Sequence, residues 1–421
     1  MQTATSIKEH LFSLNTRGIK YDLDRILNAA ELCGNPQTAF KSFHIAGTNG
    51  KGSVCSYIES VVRTAGYRTG LYTSPHIIDF EERFIIDGKP ITENDWLSVY
   101  NDQRPIIDKL ELTFFEAATL MAFELFKRNN VEWAIFETGL GGRLDATNII
   151  SPQVSVITGI AMDHTDYLGS TLIAIAHEKL GIVKSGIPLV FVKNRDHAIN
   201  ALAIRICNEM HSAITVCSPD EAQNVCETAD GTIINWNNSH YLIPLYGLHQ
   251  VKNAVTALNA LRCAGFTDYE MVHRGLQNTF VPGRFHIVDY KGKQLIFDVG
   301  HNPDAASVVA DAIKRRFSGI LVVFIIGVMK DKDYSGIIAQ LMPCAAHIIF
   351  TKPDTGRAAE SLELLGAVPE MYRGRCSVVN TVRDAFQYAC ERQEPLICIT
   401  GSFYTVGESY RAAGIKPFES R

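Results

Sequence analysis

Short apolar runs bounded by turn residues alternate along this chain with stretches whose apolar positions recur every three or four residues. The runs at 42–46, 69–73, 133–137, 155–158 and 188–192 predict buried strands. Between them, the periodic stretches at about 53–65, 114–129, 172–184 and 198–211 predict helices. Strand–helix alternation of this kind predicts a doubly wound parallel sheet with helices on both faces. The polar, turn-rich stretch 224–238 predicts a hairpin or an irregular excursion, and 250–264 a further helix. Beyond Pro282-Gly283 the alternation restarts. Strands are expected at 295–299, 320–327, 347–351 and 396–400, with helices at about 304–317, 335–342 and 381–392. The expected fold is α/β: an N-terminal domain over 1–283 and a smaller C-terminal α/β domain over 284–421.

Totals narrow the class. At 421 residues the chain exceeds one ordinary core, which supports two domains. Apolar residues make up 46% and charged ones 20%, the balance of a globular protein. A formal net charge of −5 offers no basic surplus for nucleic acid, although local positive potential can still line a cleft. The 10 cysteines form no CxxC pair or metal-ligand spacing and read as reduced core thiols. With no apolar signal core at the start and no membrane-length run, the expectation is a cytoplasmic protein. Neither a coiled coil nor a long apolar edge stands out, so a monomer is expected.

One loop carries chemistry. Between the strand ending at Ala46 and the helix that follows lies Gly47-Thr-Asn-Gly-Lys-Gly-Ser53. Glycines allow left-handed backbone, so successive N–H groups can turn toward a phosphate, and the helix N-terminus adds partial positive charge. Lys51 supplies a full charge for the terminal phosphates and Ser53 a hydroxyl for phosphate or metal. The loop is a shortened relative of the G-x-x-x-x-G-K-[ST] pattern of P-loop ATPases and predicts ATP or a similar nucleotide.

Other candidates sit at strand ends. Glu137 closes 133–137, where an open α/β sheet presents its ligands, and a carboxylate there suits Mg²⁺. Loop 139–148 carries Arg143, Asp145 and Asn148, which suit a polar substrate or equally a solvated turn. His164 lies among carboxylates beyond another strand end and is either a ligand or a structural histidine. Ser74 and His76, in Thr73-Ser-Pro-His76, are also at a strand end and read equally as turn residues.

Together these stretches resemble the Mur ligase superfamily, and within it the folylpolyglutamate synthase/dihydrofolate synthase family. The matching segments are GTNGKGS at 47–53, TSPHI at 73–77, TFFEAAT at 113–119, ETGLGGRLDATN at 137–148, MDHTDYLG at 162–169 and HEKLGIVK at 177–184. LHQVKNAVTAL at 248–258, PGRF at 282–285, DVGHNPDAA at 298–306, GVMKDKD at 327–333 and GSFYTVGE at 401–408 continue the match. The resemblance implies an ATP-dependent ligase joining L-glutamate to a pterin-bearing acid through an acyl phosphate. It gives the N-terminal domain a P-loop ATPase-type sheet and the C-terminal domain a Rossmann-like one that binds glutamate.

The resemblance also assigns residues. Asn49, Gly50, Lys51, Gly52 and Ser53 would hold the phosphates of ATP; Asn253, Arg284, Asp298 and His301 would grip the nucleotide from the far side. Ser53, Ser74, Glu137 and His164 would hold Mg²⁺, and Lys51, Glu137, His164 and Lys179 would be catalytic. Lys179 matches a lysine that the family often carries as a carbamate; its plain reading is a helix lysine. Thr113, Phe114, Phe115, Glu116, Leu144, Asp145 and Ala146 would line the pterin site. Gly300 stands where alanine is commoner and Tyr404 where histidine is frequent, departures that bear on fine geometry. The implied substrates are dihydropteroate, tetrahydrofolate and L-glutamate, with both synthase activities favoured over the folylpolyglutamate synthase activity alone. A P-loop kinase or hydrolase, which would turn over without glutamate, is one rival. A nucleotide-gated binding protein is another, although it would require a damaged site, and Lys51, Glu137, His164, Lys179, Arg284 and Asp298 are all present.

Overall fold

The computed structural model describes residues 4–419 except 19, 21 and 229. Two large sheets organise them. The first is eight-stranded, in the order β4-β3-β2-β5-β1-β6-β7-β8. Its strands are β1 (Lys41–Ala46), β2 (Thr69–Tyr72), β3 (Phe84–Ile86), β4 (Lys89–Pro90), β5 (Trp133–Glu137), β6 (Val154–Ile157), β7 (Leu189–Val192) and β8 (Ile214–Cys217). From β2 to β8 all pairings are parallel, while β3 and β4 add an antiparallel edge. β1 from Ser42 on and β5 throughout are buried on both faces, so β5 reads as an apolar run up to Glu137, while in β1 the buried polar residues Ser42 and His44 interrupt the apolar ones.

A three-stranded antiparallel meander follows, made of β9 (Gln223–Thr228), β10 (Gly231–Trp236) and β11 (Ser239–Ile243). The expected hairpin is therefore one strand longer. The second large sheet has six strands in the order β12-β13-β17-β14-β15-β16. These are β12 (His286–Tyr290), β13 (Lys293–Phe297), β14 (Val322–Ile326), β15 (Ala345–Phe350), β16 (Cys376–Val378) and β17 (Leu396–Thr400). Only β12 runs antiparallel to its neighbour. Both sheets are thus mixed α/β sheets, parallel at their centres.

Helix Lys51–Thr64 packs between the first sheet and helices Leu248–Cys263 and Tyr269–Gln277, within one apolar cluster. A second cluster on the opposite face is built by helix Phe114–Arg128 and the rings of Phe80, Phe84, Trp96 and Phe136. Helix Leu172–Leu180 is shorter than the periodicity implies. Its Glu178 carbonyl accepts from the Arg143 N–H at 2.7 Å, and a Cβ on Gly181 would meet the Arg143 Cβ at 2.3 Å. The incoming loop ends the helix there.

The two sheets are joined by segment 74–82. Ile77 and Ile78 pack into the apolar cluster of the second sheet. Helix Phe403–Ala413 comes so close that a Cβ on Gly407 would lie 2.1 Å from the Ile77 carbonyl.

Candidate active site

Four adjacent strands, β2, β5, β1 and β6, end on one edge of the first sheet, and each delivers part of the site. β1 runs into 47–50, whose turn is fixed by close packing. Gly47 (φ 152°) leaves a Cβ position only 1.9 Å from Thr158 Oγ1, and Gly50 (φ 87°) one only 2.3 Å from Asn253 Oδ1. Both positions require glycine for space as well as for backbone freedom. Thr158 Oγ1 donates to the Asn49 carbonyl at 2.7 Å, so β6 holds the loop from beneath. Gly50 caps helix Lys51–Thr64 without any side-chain hydrogen bond, and the first N–H groups of the helix stay free for an anion.

Two ammonium groups converge beneath this loop. Lys51 Nζ donates to the Gly47 and Thr48 carbonyls at 3.1 and 3.2 Å, and Lys179 Nζ donates to the same Gly47 carbonyl at 3.0 Å. Burial, and then the charge of Lys51, lower Lys179 to about 7. Its amine is therefore partly neutral at physiological pH, and nucleophilic.

β5 delivers Glu137. Burial raises its pKa against the pull of Lys51, the Ser74 N–H, Arg284 and Arg83. Among the described residues only the Ser74 N–H, at 3.1 Å, donates to this carboxylate. Ser53 Oγ accepts from Gln250 Nε2 at 3.2 Å and keeps a second lone pair. Gln250 in turn accepts from Asn253 at 3.0 Å, so one helix positions both the hydroxyl and the phosphate loop. His164, at φ 49°, is half-exposed, with Nε2 3.7 Å from the Asp163 carboxylate. Burial lowers its pKa, as do the charges of Lys332, Lys51 and Lys179, while Asp163 opposes them.

The second sheet faces this edge across a cleft of about 1010 Å³. Asn49, Gly50, Lys51, Gly52, Ser53, Ser74, Glu137, His164, Asn253, Arg284, Asp298 and His301 all line it, which brings every expected nucleotide and metal residue to one cavity. Lys179 lies behind the wall, against Gly47. Asp298 accepts from the Phe285 and Gly300 N–H groups at 2.9 and 2.8 Å and so fixes the backbone on both sides of the entry strands. A Cβ on Gly300 would sit 2.9 Å from Asp298 Oδ1 and 3.1 Å from Ala305 Cβ, so glycine suits this packing. His301 donates from Nδ1 to the Val299 carbonyl at 3.1 Å when it carries its proton there.

The expected pterin residues stand elsewhere. Thr113, Phe114, Phe115, Glu116, Leu144, Asp145 and Ala146 are absent from the wall of that cleft. Thr113 and Glu116 cap a helix reciprocally, and Glu116 also pairs with Arg25 at 3.0 Å. Phe114 is buried and stacks on Phe12 at 5.5 Å, while Phe115 covers Gly139. Asp145 ties its own loop, accepting from Gly139, Leu140 and Thr147. Arg143 pairs with Glu178 at 2.8 Å, and Asn148 donates to the Arg143 and Gly181 carbonyls. The cleft wall adds Arg83, His249, Gln250, Lys332, Arg357 and Ser402. Gln250 was open to sequence reasoning as the i−3 neighbour of Asn253; Arg83, in Phe80-Glu-Glu-Arg83, reads as a surface ion pair.

The donor set fits Mg²⁺. Among the described residues no three His, Cys, Asp or Glu side chains cluster at ligating distance. One carboxylate with two hydroxyls nevertheless matches an ion that keeps several waters and completes its shell on phosphates.

Residues 45–261 match the Mur ligase middle domain, and residues 283–403 match the glutamate ligase domain of Mur ligases. The chain belongs to the Mur ligases. Within that family it is 32% identical to the dihydrofolate synthase/folylpolyglutamate synthase of Bacillus subtilis, over 93% of this chain and 94% of the relative. Escherichia coli FolC in complex with DHPP and ADP superposes with a TM-score of 0.84 at 30% identity, over 98% of each chain. The bifunctional folylpolyglutamate synthase/dihydrofolate synthase of Yersinia pestis, complexed with AMPPNP and Mn ion, gives 0.86 at 28% identity over 99% of each. Like other Mur ligases of this branch, the chain is an ATP-dependent ligase that works with a divalent metal. Among the described residues no helix is long and apolar enough to cross a membrane.

Proposed function

We propose that this chain joins L-glutamate to pterin-bearing acids, making dihydrofolate from dihydropteroate and folylpolyglutamates from tetrahydrofolate. The observation that carries this reading is the cleft. It sets a phosphate loop, a buried carboxylate and the cations Lys51 and Arg284 between the strand ends of two sheets. In the first step a carboxylate oxygen bonds to the γ-phosphorus of ATP, while the bridging P–O bond breaks and its electron pair leaves with ADP. In the second the glutamate amine bonds to the acyl carbon and loses a proton, and phosphate departs with the C–O pair. Positioning and charge neutralisation dominate such phosphoryl transfer.

Lys51 and the free N–H groups of 50–53 hold the phosphates in this reading, and Asn253, Arg284, Asp298 and His301 define the far side. Ser53, Ser74, Glu137 and His164 would hold Mg²⁺, which when bound neutralises charge on the phosphate oxygens. Lys179, neutral in part, is suited to add CO₂ at Nζ with loss of a proton; the resulting carbamate would relieve its repulsion with Lys51. Residues 113–116 and 144–146 support the pterin end by packing, since the carboxylates of Glu116 and Asp145 are already engaged. The same reading divides the chain into 1–283 and 284–421 and makes the enzyme a cytoplasmic monomer, in keeping with its unpaired thiols.

ADP release measured with each acid tests the activity. The expected result is release that needs both glutamate and the acid, with dihydropteroate and tetrahydrofolate each accepted. Turnover without glutamate would point to a kinase or hydrolase. Acceptance of tetrahydrofolate alone would restrict the chain to folylpolyglutamate synthesis.

A further inference from the structure

Activation brings two anions together: a carboxylate must approach the terminal phosphate of ATP. Lys51 neutralises the phosphate side, and the acid side needs a cation of its own. Arg83 meets that need. It ends the turn Phe80–Arg83, is 7% exposed, and lines the cleft beside Ser74 and Glu137.

Two other inward-leaning arginines of this half have acids in contact. Arg25 pairs with Glu116 and Asp22 at 3.0 Å each, and Arg63 with Glu59 at 2.9 Å. Among the described residues Arg83 has no carboxylate within ion-pair distance; Glu137 acts on it only through its field. Nε donates to His76 Nδ1 at 3.0 Å, the guanidinium carbon lies 5.1 Å from the Phe114 ring centre, and the Tyr72 hydroxyl is alongside. Glu82 locks the preceding backbone by accepting from the Ile77, Ile78 and Asp79 N–H groups at 2.7, 3.0 and 3.0 Å. A buried, oriented guanidinium without a counter-ion is costly unless a ligand supplies one. Its planar fork matches a carboxylate, and it keeps its proton at any working pH.

We propose that Arg83 receives the carboxylate about to be activated, holding it in the cleft beside Ser74 and Glu137. The inference rests on the ligase reading above. It makes Arg83 a residue that selects acids over neutral analogues, distinct from the nucleotide cations Lys51 and Arg284.

The test compares binding of dihydropteroate with that of its carboxamide, a neutral analogue of nearly the same shape, by calorimetry with AMPPNP and Mg²⁺ present. Wild type is expected to prefer the acid by about 10- to 100-fold, the range of a charge-assisted hydrogen-bonded pair. Arg83→Gln should bring the two ligands to within about twofold of each other, and Arg83→Lys should fall between, while AMPPNP affinity stays within about twofold of wild type. Should Arg83→Gln fail to fold, Arg83→Lys keeps charge and bulk, and an undiminished acid preference there would count against the assignment. A variant that binds AMPPNP normally and prefers the acid as strongly as wild type overturns the role of Arg83 and leaves the ligase reading intact. Wild type binding neither pterin would overturn the ligase reading itself.

Discussion

Glu137 and Asp145 lie on one short stretch, both buried, both raised in pKa by desolvation, yet they are opposites. Asp145 accepts from the Gly139 and Leu140 N–H groups at 2.8 and 2.9 Å and from the Thr147 N–H and hydroxyl at 3.0 and 2.5 Å. Glu137 accepts from one N–H and points the rest of its capacity into a cleft among cations. A buried charge that the protein has satisfied holds structure together; one left wanting partners is held ready for a ligand. Identical chemistry at the two positions thus has different uses, and hydrogen bonding decides which.

The sharpest break of this contrast is at the catalytic end. Lys51→Ala and Glu137→Gln should each lower kcat for ADP release by about 10³-fold or more, the scale of lost charge stabilisation in phosphoryl transfer. Glu137→Gln should melt at or above the wild-type temperature, because an unsatisfied buried charge has been removed. A folded Glu137→Gln enzyme with near-normal turnover would undo the comparison. Asp145→Asn should do the reverse: a loss of about 2–3 kcal/mol in unfolding free energy, with kcat within about tenfold below the melting range.

Lys179 extends the contrast to a base. Its folded value of about 7 lies below the usual 10.5, so between these values the unfolded chain holds more protons. The penalty for burying the charged form is full below the folded value and fades as pH rises toward the unfolded one. Relative to Lys179→Met, wild type should therefore gain about 2 kcal/mol of stability between about pH 7 and 9 in urea titrations. A carbon-13 carbamate signal in labelled bicarbonate should appear in wild type only. Smallest of all, Gln250→Leu should weaken AMPPNP binding several-fold through Ser53 and Asn253, leaving the melting temperature within a few degrees.

Much of this was legible beforehand. The strands expected at 42–46 and 133–137 were legible as short, largely apolar runs bounded by turn residues, and the loop between Gly47 and Ser53 carried its purpose in its residue types. The helix Glu93–Lys109 was obscured by Pro105 and a polar face, although Thr92 and Asp95 form a reciprocal cap at its start. Arg83 was hidden for a different reason. Flanking glutamates and a phenylalanine describe an ordinary surface turn, and only tertiary packing shows that its acids are spent elsewhere: Glu82 on backbone, Glu81 on the Trp96 indole at 2.7 Å. The Asp145 loop left two readings open, a grip on a polar substrate or a solvated turn, because residue types alone do not show that the Asp145 carboxylate accepts from Gly139, Leu140 and Thr147 within its own loop.

The contact between Ile77 and Gly407 has a practical corollary for anyone recombining relatives. Halves exchanged as cassettes would have to travel with a compatible plug and a bare helix face. Even one methyl group at 407 should act as a wedge, prising apart the seam at which acid, nucleotide and amine must meet.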